Sequence, residues 1–291
     1  MINYTMPDFT ANLGLNLFFI RLLDQHPELF QDKVRIDSVY GCFPGCVLNG
    51  GRAYLRECST PVQIEQTFSL LEEHGVKVRL TLTNMLATEE QLRDSYACAI
   101  LEAASRHHAE AIVYADAVGN YVRDRYGMRC VLSTTRPLAD VVELNCMTKR
   151  YDYVVLDYNR HKDPVFLNAI EDKGKVEVMV NEFCTKGCPH RQEHYLHNSQ
   201  DQHDGTLRPF ACVSTRPDFF GHQQDHPVIF TDDEVHALHD EQGIEYFKIV
   251  GRGVPFETTL ESLAYYLLKP AYRENIKQQV RNLVQKQTVV N

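Results

Sequence analysis

The sequence lacks several features that would place it in a familiar class. It contains no tryptophan, and no apolar run approaches the roughly 20 residues that a membrane-spanning helix needs. The opening residues, MINYTMPDFTANLG, have neither the charged segment nor the long apolar segment of a secretory signal peptide. We therefore expect a protein without a membrane partner.

Motifs of several common enzyme classes are also missing. No G-x-G-x-x-G follows the first predicted strand, so a dinucleotide-binding fold has no support. The glycine-rich loop 40-YGCFPGCVLNGGR-52 lacks the spacing G-x-x-x-x-G-K-S/T of a nucleotide-binding loop. Neither a G-x-S-x-G elbow nor an H-E-x-x-H helix occurs, and a serine protease or a helix-based zinc protease is therefore not indicated.

The charge and the cysteines limit the partners and the compartment. A net charge of -9 argues against a surface devoted to the nucleic-acid backbone and leaves room only for a local basic patch. Nine cysteines, odd in number and scattered, favour free thiols in a reducing compartment over a disulfide framework. We expect a cytoplasmic protein.

Short strand-like runs alternate with helical patterns along the chain. About seven strands joined by helices favour a parallel sheet, and 291 residues suffice for a barrel of eight βα units, which needs about 250. We expect a single βα-barrel domain over residues 1–291, with an eighth strand near the N-terminus that the pattern does not place. A doubly wound open sheet is the alternative. The strands are predicted at 34–41, 76–83, 111–115, 128–134, 152–158, 175–181 and 245–251.

Two further segments complete the expected organisation. Residues from about 184 to 228, rich in histidine and containing cysteine, are predicted to form one long loop. A loop of this length inside a compact domain is usually functional. From about residue 257 the chain is predicted to end in a helical tail that is broken near Pro270.

Polar residues follow the predicted strands at their carboxyl ends, where parallel α/β folds bind their ligands. Turns are polar in any protein, which is the simpler explanation for each residue taken alone. From these positions we expect substrate contacts at Asp116, Asp157, Asn159, Asn181 and Arg252.

The sharpest chemical feature is a group of cysteines after the strand at 175–181. Cys184 and Cys188 are separated by three residues, and Cys212 lies 24 residues beyond Cys188. Thiolates suit zinc or an iron–sulfur cluster. Cys42 and Cys46 also follow a strand, so in a parallel barrel they would reach the same rim.

Three interpretations of these thiols remain open on spacing alone. A [4Fe–4S] cluster would take the three cysteines and either Cys42 or Cys46. A zinc ion would take the three cysteines and one histidine of the same segment, from among His190, His194, His197 and His203. The third interpretation is a set of free thiols in a loop.

Two runs resemble a known family. The run 180-VNEFCTKGCPHRQEHY-195 resembles the signature of the peptidase U32 family, the collagenase-like proteases, in which Asn-Glu-x-Cys leads into Cys-Pro-x-Arg and a histidine. The run 247-FKIVGRG-253 is similar to that family's Phe-Lys-Ile-x-Gly-Arg segment. The resemblance covers most of residues 34–270 and implies a TIM-like barrel.

The resemblance also implies a cofactor. The better understood members of the family resemble oxygen-independent hydroxylation factors that act on ubiquinone precursors or on RNA bases, and several carry a [4Fe–4S] cluster held by four cysteines. Carried over, the ligands would be Cys184, Cys188 and Cys212, with Cys42 or Cys46 as the fourth. The spacing from Cys188 to Cys212 is wider than in several relatives.

We therefore expect an oxidoreductase that hydroxylates a small molecule, peptide or RNA base without oxygen, or catalyses a related redox modification. Glu182 would act as a general base or position a ligand, His194 would transfer a proton, and Arg191 and Arg252 would clamp a carboxylate or phosphate. A salt bridge to Glu182 or Asp157 is the simpler role for either arginine. The alternative functions are a zinc-dependent hydrolase or peptidase, and a non-catalytic cluster subunit that pairs with a second U32-like chain.

Overall fold

The computed structural model describes residues 1–212 and 227–290. Within them, eight parallel strands form a closed barrel in chain order, and the last strand pairs with the first. The predicted βα-barrel is confirmed, and the strand that the pattern did not place is the N-terminal one. The strands are β1 (Ile2–Pro7), β2 (Val34–Gly41), β3 (Lys77–Leu82), β4 (Glu110–Val113), β5 (Cys130–Leu132), β6 (Tyr153–Val155), β7 (Val176–Met179) and β8 (Tyr246–Lys248).

Helices connect the strands, and buried side chains of strands and helices share one apolar core. Thr60 and Thr231 each start a helix with a capping box, and Gly127 ends another in the left-handed conformation. The helices are α1 (Leu13–Gln25), α2 (Pro61–Glu72), α3 (Ser95–Arg106), α4 (Asp116–Tyr126), α5 (Val141–Arg150), α6 (Pro164–Asn168), α7 (Arg191–Asp204), α8 (Asp232–Gln242), α9 (Phe256–Leu267) and α10 (Arg273–Val290).

The segment predicted as one long loop, 184–228, is a helix over part of its length. Helix α7 occupies Arg191–Asp204 and ends at Gly205, which has a φ of 67°. Residues 213–226 of the predicted loop lie outside the described residues. The predicted helical tail is present as α9 and α10, with a short 3-10 turn at Pro270–Tyr272 between them.

Helix α7 has no apolar stripe because it packs through polar side chains, which is why periodicity did not reveal it. Gln202 accepts a hydrogen bond from the Tyr54 amide at 2.6 Å and donates one to the Cys46 carbonyl at 3.1 Å. The Met85 amide donates to the Ser199 hydroxyl at 3.1 Å. These bonds hold α7 against the loops that follow β2 and β3.

A layer of buried charges fills the barrel near the N-terminal ends of β4 and β7. Arg79 is fully buried, and its guanidinium lies 2.7 Å from Glu110, 2.5 Å from Glu177 and 3.6 Å from Asp37. It also lies 5.0 Å from the centre of the Tyr153 ring. One cation therefore balances carboxylates from three other strands, which ties those strands together.

The lumen above this layer is closed by aromatic and apolar side chains that include Tyr40 and Met179. The Lys248 amine lies 4.0 Å from the centre of the Tyr40 ring and 3.8 Å from Glu177. Burial lowers the pKa of Lys248 to about 8, against the opposing effect of Glu177. Because the lumen is filled, open space for a ligand lies at the rim.

We predict that Arg79→Met destabilises the protein by about 3 kcal/mol, because it removes the fully buried cation of the carboxylate layer. The cations that remain are Lys77 for Asp37, Arg129 for Glu110 and Lys248 for Glu177, at 3.1, 3.3 and 3.8 Å. Arg93→Met is the matched control, since among the described residues Arg93 forms one ion pair, with Glu89 on the surface, 3.7 Å away. It should cost less than about 1 kcal/mol. Urea unfolding measures both free energies, and equal losses for the two variants would contradict the prediction.

Candidate functional site

A cavity of about 670 Å³ lies at the carboxyl ends of the strands. Its walls come from the loops after β2, β7 and β8 and from helix α7. Cys184, Cys188 and Cys212 all line it, together with Glu182, Arg191, His194 and Arg252. Seven residues that the sequence analysis selected from separate runs therefore border one space.

Glu182 is the centre of the hydrogen bonding in the loop after β7. One of its carboxylate oxygens accepts a hydrogen bond from the Cys184 amide at 2.9 Å, and the other lies 3.3 Å from two nitrogens of Arg191. The Arg191 guanidinium also lies 4.0 Å from the centre of the Tyr158 ring and 5.0 Å from that of Tyr195. The salt bridge that we considered the simpler role for Arg191 is therefore present, and it orients the first thiol.

The loop after β6 supports the thiol loop from the side. The Tyr158 hydroxyl donates a hydrogen bond to the Thr185 carbonyl at 2.9 Å and lies 3.7 Å from the Cys184 sulfur. The Gly187 amide donates to the Asn159 side chain at 2.7 Å. Asn159 in turn donates to Asp157 from its backbone and its side chain, at 2.8 and 2.9 Å. Asp157 and Asn159 do not line the cavity and hold the loop that carries the cysteines.

Two other predicted substrate contacts also lie away from the cavity. Asn181 forms hydrogen bonds in both directions with the Val250 backbone, at 2.6 and 2.8 Å, and so joins the ends of β7 and β8. Asp116 accepts a hydrogen bond from the Tyr151 hydroxyl at 2.6 Å and pairs with Arg136 at 2.8 Å. The hydrogen bond from Tyr151 and the charge of Arg136 lower the pKa of Asp116. Both side chains are occupied in structural contacts.

The surroundings of the Cys184 thiol do not activate it as a nucleophile. Burial raises its pKa, the Glu182 carboxylate raises it further, and the Arg191 cation opposes them. A thiol with a raised pKa is a weak nucleophile at neutral pH, whereas a metal ion displaces the proton when it binds. The environment of Cys184 therefore suits a ligand better than a reacting thiolate.

Cys42 and Cys46, the two candidates for a fourth ligand, have different surroundings. Cys42 lines a second cavity of about 480 Å³, which adjoins the first, and its sulfur accepts a hydrogen bond from Arg252 at 3.6 Å. Cys46 belongs to the apolar core and lines neither cavity. Burial raises the pKa of Cys46 to about 12. The geometry favours Cys42 because it faces open space beside the thiol cavity.

His194 is held as a neutral ring. It stacks on Phe210 with 4.5 Å between the ring centres. Burial lowers its pKa to about 4, and the positive charge of Arg52 lowers it further, with His197 next in effect. At pH 7 a neutral imidazole accepts a proton rather than donating one. His190 and His197, the other histidines on the cavity wall, are paired with Glu193 and Asp201.

The cysteines of the cavity are arranged around its wall and not around one point. Within residues 1–212 and 227–290, no three His, Cys, Asp or Glu side chains stand close enough together to hold a single metal ion. A zinc ion needs its donors around one atom, at about 2.3 Å for sulfur. A four-iron cluster is larger and keeps its thiolates farther apart. Cys184, Cys188 and Cys212 border one cavity, and we carry the cluster forward as a proposal.

Sequence reasoning did not select two arginines of this site. Arg52 lies on the wall of both cavities, and Arg208 lies on the wall of the larger one, where it pairs with Asp201 at 2.7 Å. Arg52 is the last residue of the glycine-rich loop 40–52, from which we had selected only Cys42 and Cys46. A basic side chain directly after two glycines at a strand's carboxyl end was the available signal.

Comparisons with known proteins support the fold. No protein-family model and no curated protein matches the sequence. Among solved structures, one titled "The Structure of the U32 Peptidase Mk0906" is similar, with a TM-score of 0.53 and 14% sequence identity over 88% of this chain and 94% of that chain. At that identity the likeness shows a shared barrel fold. Among the described residues, no helix combines the length and the apolar character needed to cross a membrane.

We predict that the His194 ring titrates at a pH of about 4 rather than at its ordinary value of 6.5. The folded state disfavours the charged ring, so the stability that this group contributes is present above pH 6.5 and is lost as the pH falls towards 4. Arg52→Gln should raise the midpoint, because it removes a nearby positive charge. Ring-proton NMR measures both values.

The matched control is Arg35→Gln, which changes an exposed arginine in β2 at the opposite end of the barrel. It should leave the His194 midpoint where it is in the unaltered protein. A midpoint near 6.5 in the unaltered protein would refute the neutral ring.

Proposed function

We propose that this protein is an iron–sulfur enzyme related to the peptidase U32 family, and that it catalyses an oxygen-independent hydroxylation or a related redox modification of a small molecule, peptide or RNA base. The observation that carries the proposal is the placement of Cys184, Cys188 and Cys212 on the wall of one rim cavity. The likeness of the fold to a U32 peptidase and the two sequence runs support the family.

Four cysteines would hold the cluster in this proposal. Cys184, Cys188 and Cys212 supply three thiolates, and Cys42 is the fourth because it faces the adjoining cavity. A bound [4Fe–4S] cluster supplies electron transfer. The ligands sit on loops that are held by hydrogen bonds, as at Cys184, whose amide is bonded to Glu182.

The remaining side chains of the cavity have separate roles. Glu182 fixes Arg191 and the thiol loop, which makes it a positioning residue. His194, neutral at pH 7 because its pKa is about 4, orients the substrate through a hydrogen bond to its ring. Arg252 presents its guanidinium to both cavities and binds an anionic group of the substrate. The apolar part of the wall, which includes Phe210 and Val250, excludes water around the reacting atoms.

The first experiment is anaerobic purification of the full chain, followed by iron, sulfide and zinc analysis and a visible spectrum. We expect about four irons and four sulfides per chain and absorbance near about 400 nm. Cys184→Ala and Cys188→Ala should each lose the iron. Cys146→Ala is the matched control, because Cys146 is exposed on α5, and it should keep the iron.

The same analysis locates the fourth ligand. We expect Cys42→Ala to lose iron and Cys46→Ala to retain it, provided that circular dichroism shows both variants folded. One zinc and no iron would point to the zinc-dependent hydrolase or peptidase. Iron that survives the loss of Cys184 and Cys188, or no metal under anaerobic conditions, would refute the proposed cluster.

Activity of the isolated chain separates an enzyme from a cluster subunit. If the cluster is present but turnover appears only after a second U32-like chain is added, this chain acts as a subunit of a heteromeric complex. Turnover by the chain alone supports the enzyme.

A further inference from the structure

The smaller cavity, of about 480 Å³, is a pocket of arginines beside the thiol cavity. Its walls come from the loops after β1, β2 and β8, and Arg52 and Arg252 border both spaces. Arg56 lines the smaller cavity only. We call Arg52, Arg56 and Arg252 together the arginine pocket.

The three cations of the arginine pocket have no carboxylate partner within 4.0 Å among the residues that the structure describes. Arg252 donates to the Thr81 hydroxyl at 2.5 Å and to the Gly50 carbonyl at 2.8 Å, both of which are neutral acceptors. The Arg56 guanidinium lies 5.5 Å from the centre of the Tyr54 ring. Arg191, at the same rim, differs from them because it is paired with the carboxylate of Glu182.

One acidic side chain lines the same cavity. Asp8 is buried, and one of its carboxylate oxygens accepts hydrogen bonds from the amides of Thr10 and Ala11 at 3.1 and 3.0 Å. In the chain without a cluster, where Cys42 on the same wall is a neutral thiol, three arginines and one aspartate leave about two positive charges on the wall. That excess stands out in a chain whose net charge is -9.

We propose that the arginine pocket binds a phosphate group of the substrate. A phosphate monoester carries a charge of about −1.5 to −2 at pH 7, which matches the excess on the wall, whereas a single carboxylate would leave a positive charge uncompensated. Guanidinium groups bind phosphate through paired hydrogen bonds. In βα-barrels a phosphate site commonly lies beside the loops after the seventh and eighth strands, and Arg252 follows β8.

The wall that the two cavities share indicates the position of the rest of the substrate. Because Arg52 and Arg252 border both cavities, a phosphate in the arginine pocket places the remainder of a phosphorylated small molecule in the thiol cavity, beside Cys184 and His194. A phosphorylated small molecule as substrate class rests on the proposed function. The two are tested separately, because phosphate binding is measured without turnover and the cluster is detected by metal analysis.

The test is a titration of the full-length chain with inorganic phosphate at constant ionic strength. Calorimetry and ³¹P NMR measure the binding, and acetate is the carboxylate probe. We expect phosphate to bind and acetate to bind at least about tenfold more weakly. Arg52→Ala and Arg56→Ala should each weaken phosphate binding by about tenfold, because each removes a charge-assisted hydrogen bond. Arg35→Ala, at the other end of the barrel, is the matched control and should leave the affinity unchanged.

The test relies on Arg52 and Arg56, because Arg252 also ties the loop after β2 to strand β3 and its loss would disturb the fold. Phosphate binding that is indifferent to Arg52→Ala and Arg56→Ala would overturn the proposal, as would no binding at millimolar phosphate. Acetate binding as tight as that of phosphate would reassign the pocket to a carboxylate.

Discussion

The pairing of β1 with β8 is the contact on which the rest of the structure depends. It makes β7, β8, β1 and β2 consecutive neighbours around the barrel, although β2 and β7 are separated by more than a hundred residues. The loops after these four strands form both cavities. Without closure, Cys42 and Arg52 would lie at one edge of an open sheet, far from Cys184 at the other.

The filling of the lumen gives the site its position and its chemistry. Arg79 and its carboxylates occupy one level of the barrel, and Tyr40, Met179 and their neighbours occupy the next. The side chains that stabilise the closed barrel therefore fill its interior, and the two cavities described above lie at its rim. There the cavity walls come from loops, whose sequences can carry thiols and arginines without cost to the barrel.

The rim is organised by polar contacts more than by apolar packing. Gln202 and Ser199 bond α7 to neighbouring backbones, Glu182 holds Arg191, and Asn159 holds the turn at Gly187. The bonds of Gln202, Ser199 and Glu182 satisfy donors and acceptors that are partly buried. The thiol loop is therefore oriented from three sides. Burial raises the pKa of the Cys184 thiol, the Glu182 carboxylate raises it further, and the Arg191 cation opposes them.

The sequence alone determined the alternation of strands and helices, the barrel that its length allows, and the cysteines that follow β7, because these depend on local periodicity, capping residues and spacing. It did not reveal α7, since a helix that docks through Ser199 and Gln202 has no apolar period to detect. Nor did it choose between Cys42 and Cys46, which lie on the same short loop. Only the tertiary structure showed α7, placed Cys42 on a cavity wall and Cys46 in the apolar core, and brought Arg52 to Arg252. Closure of the barrel joins segments whose contacts no local pattern encodes.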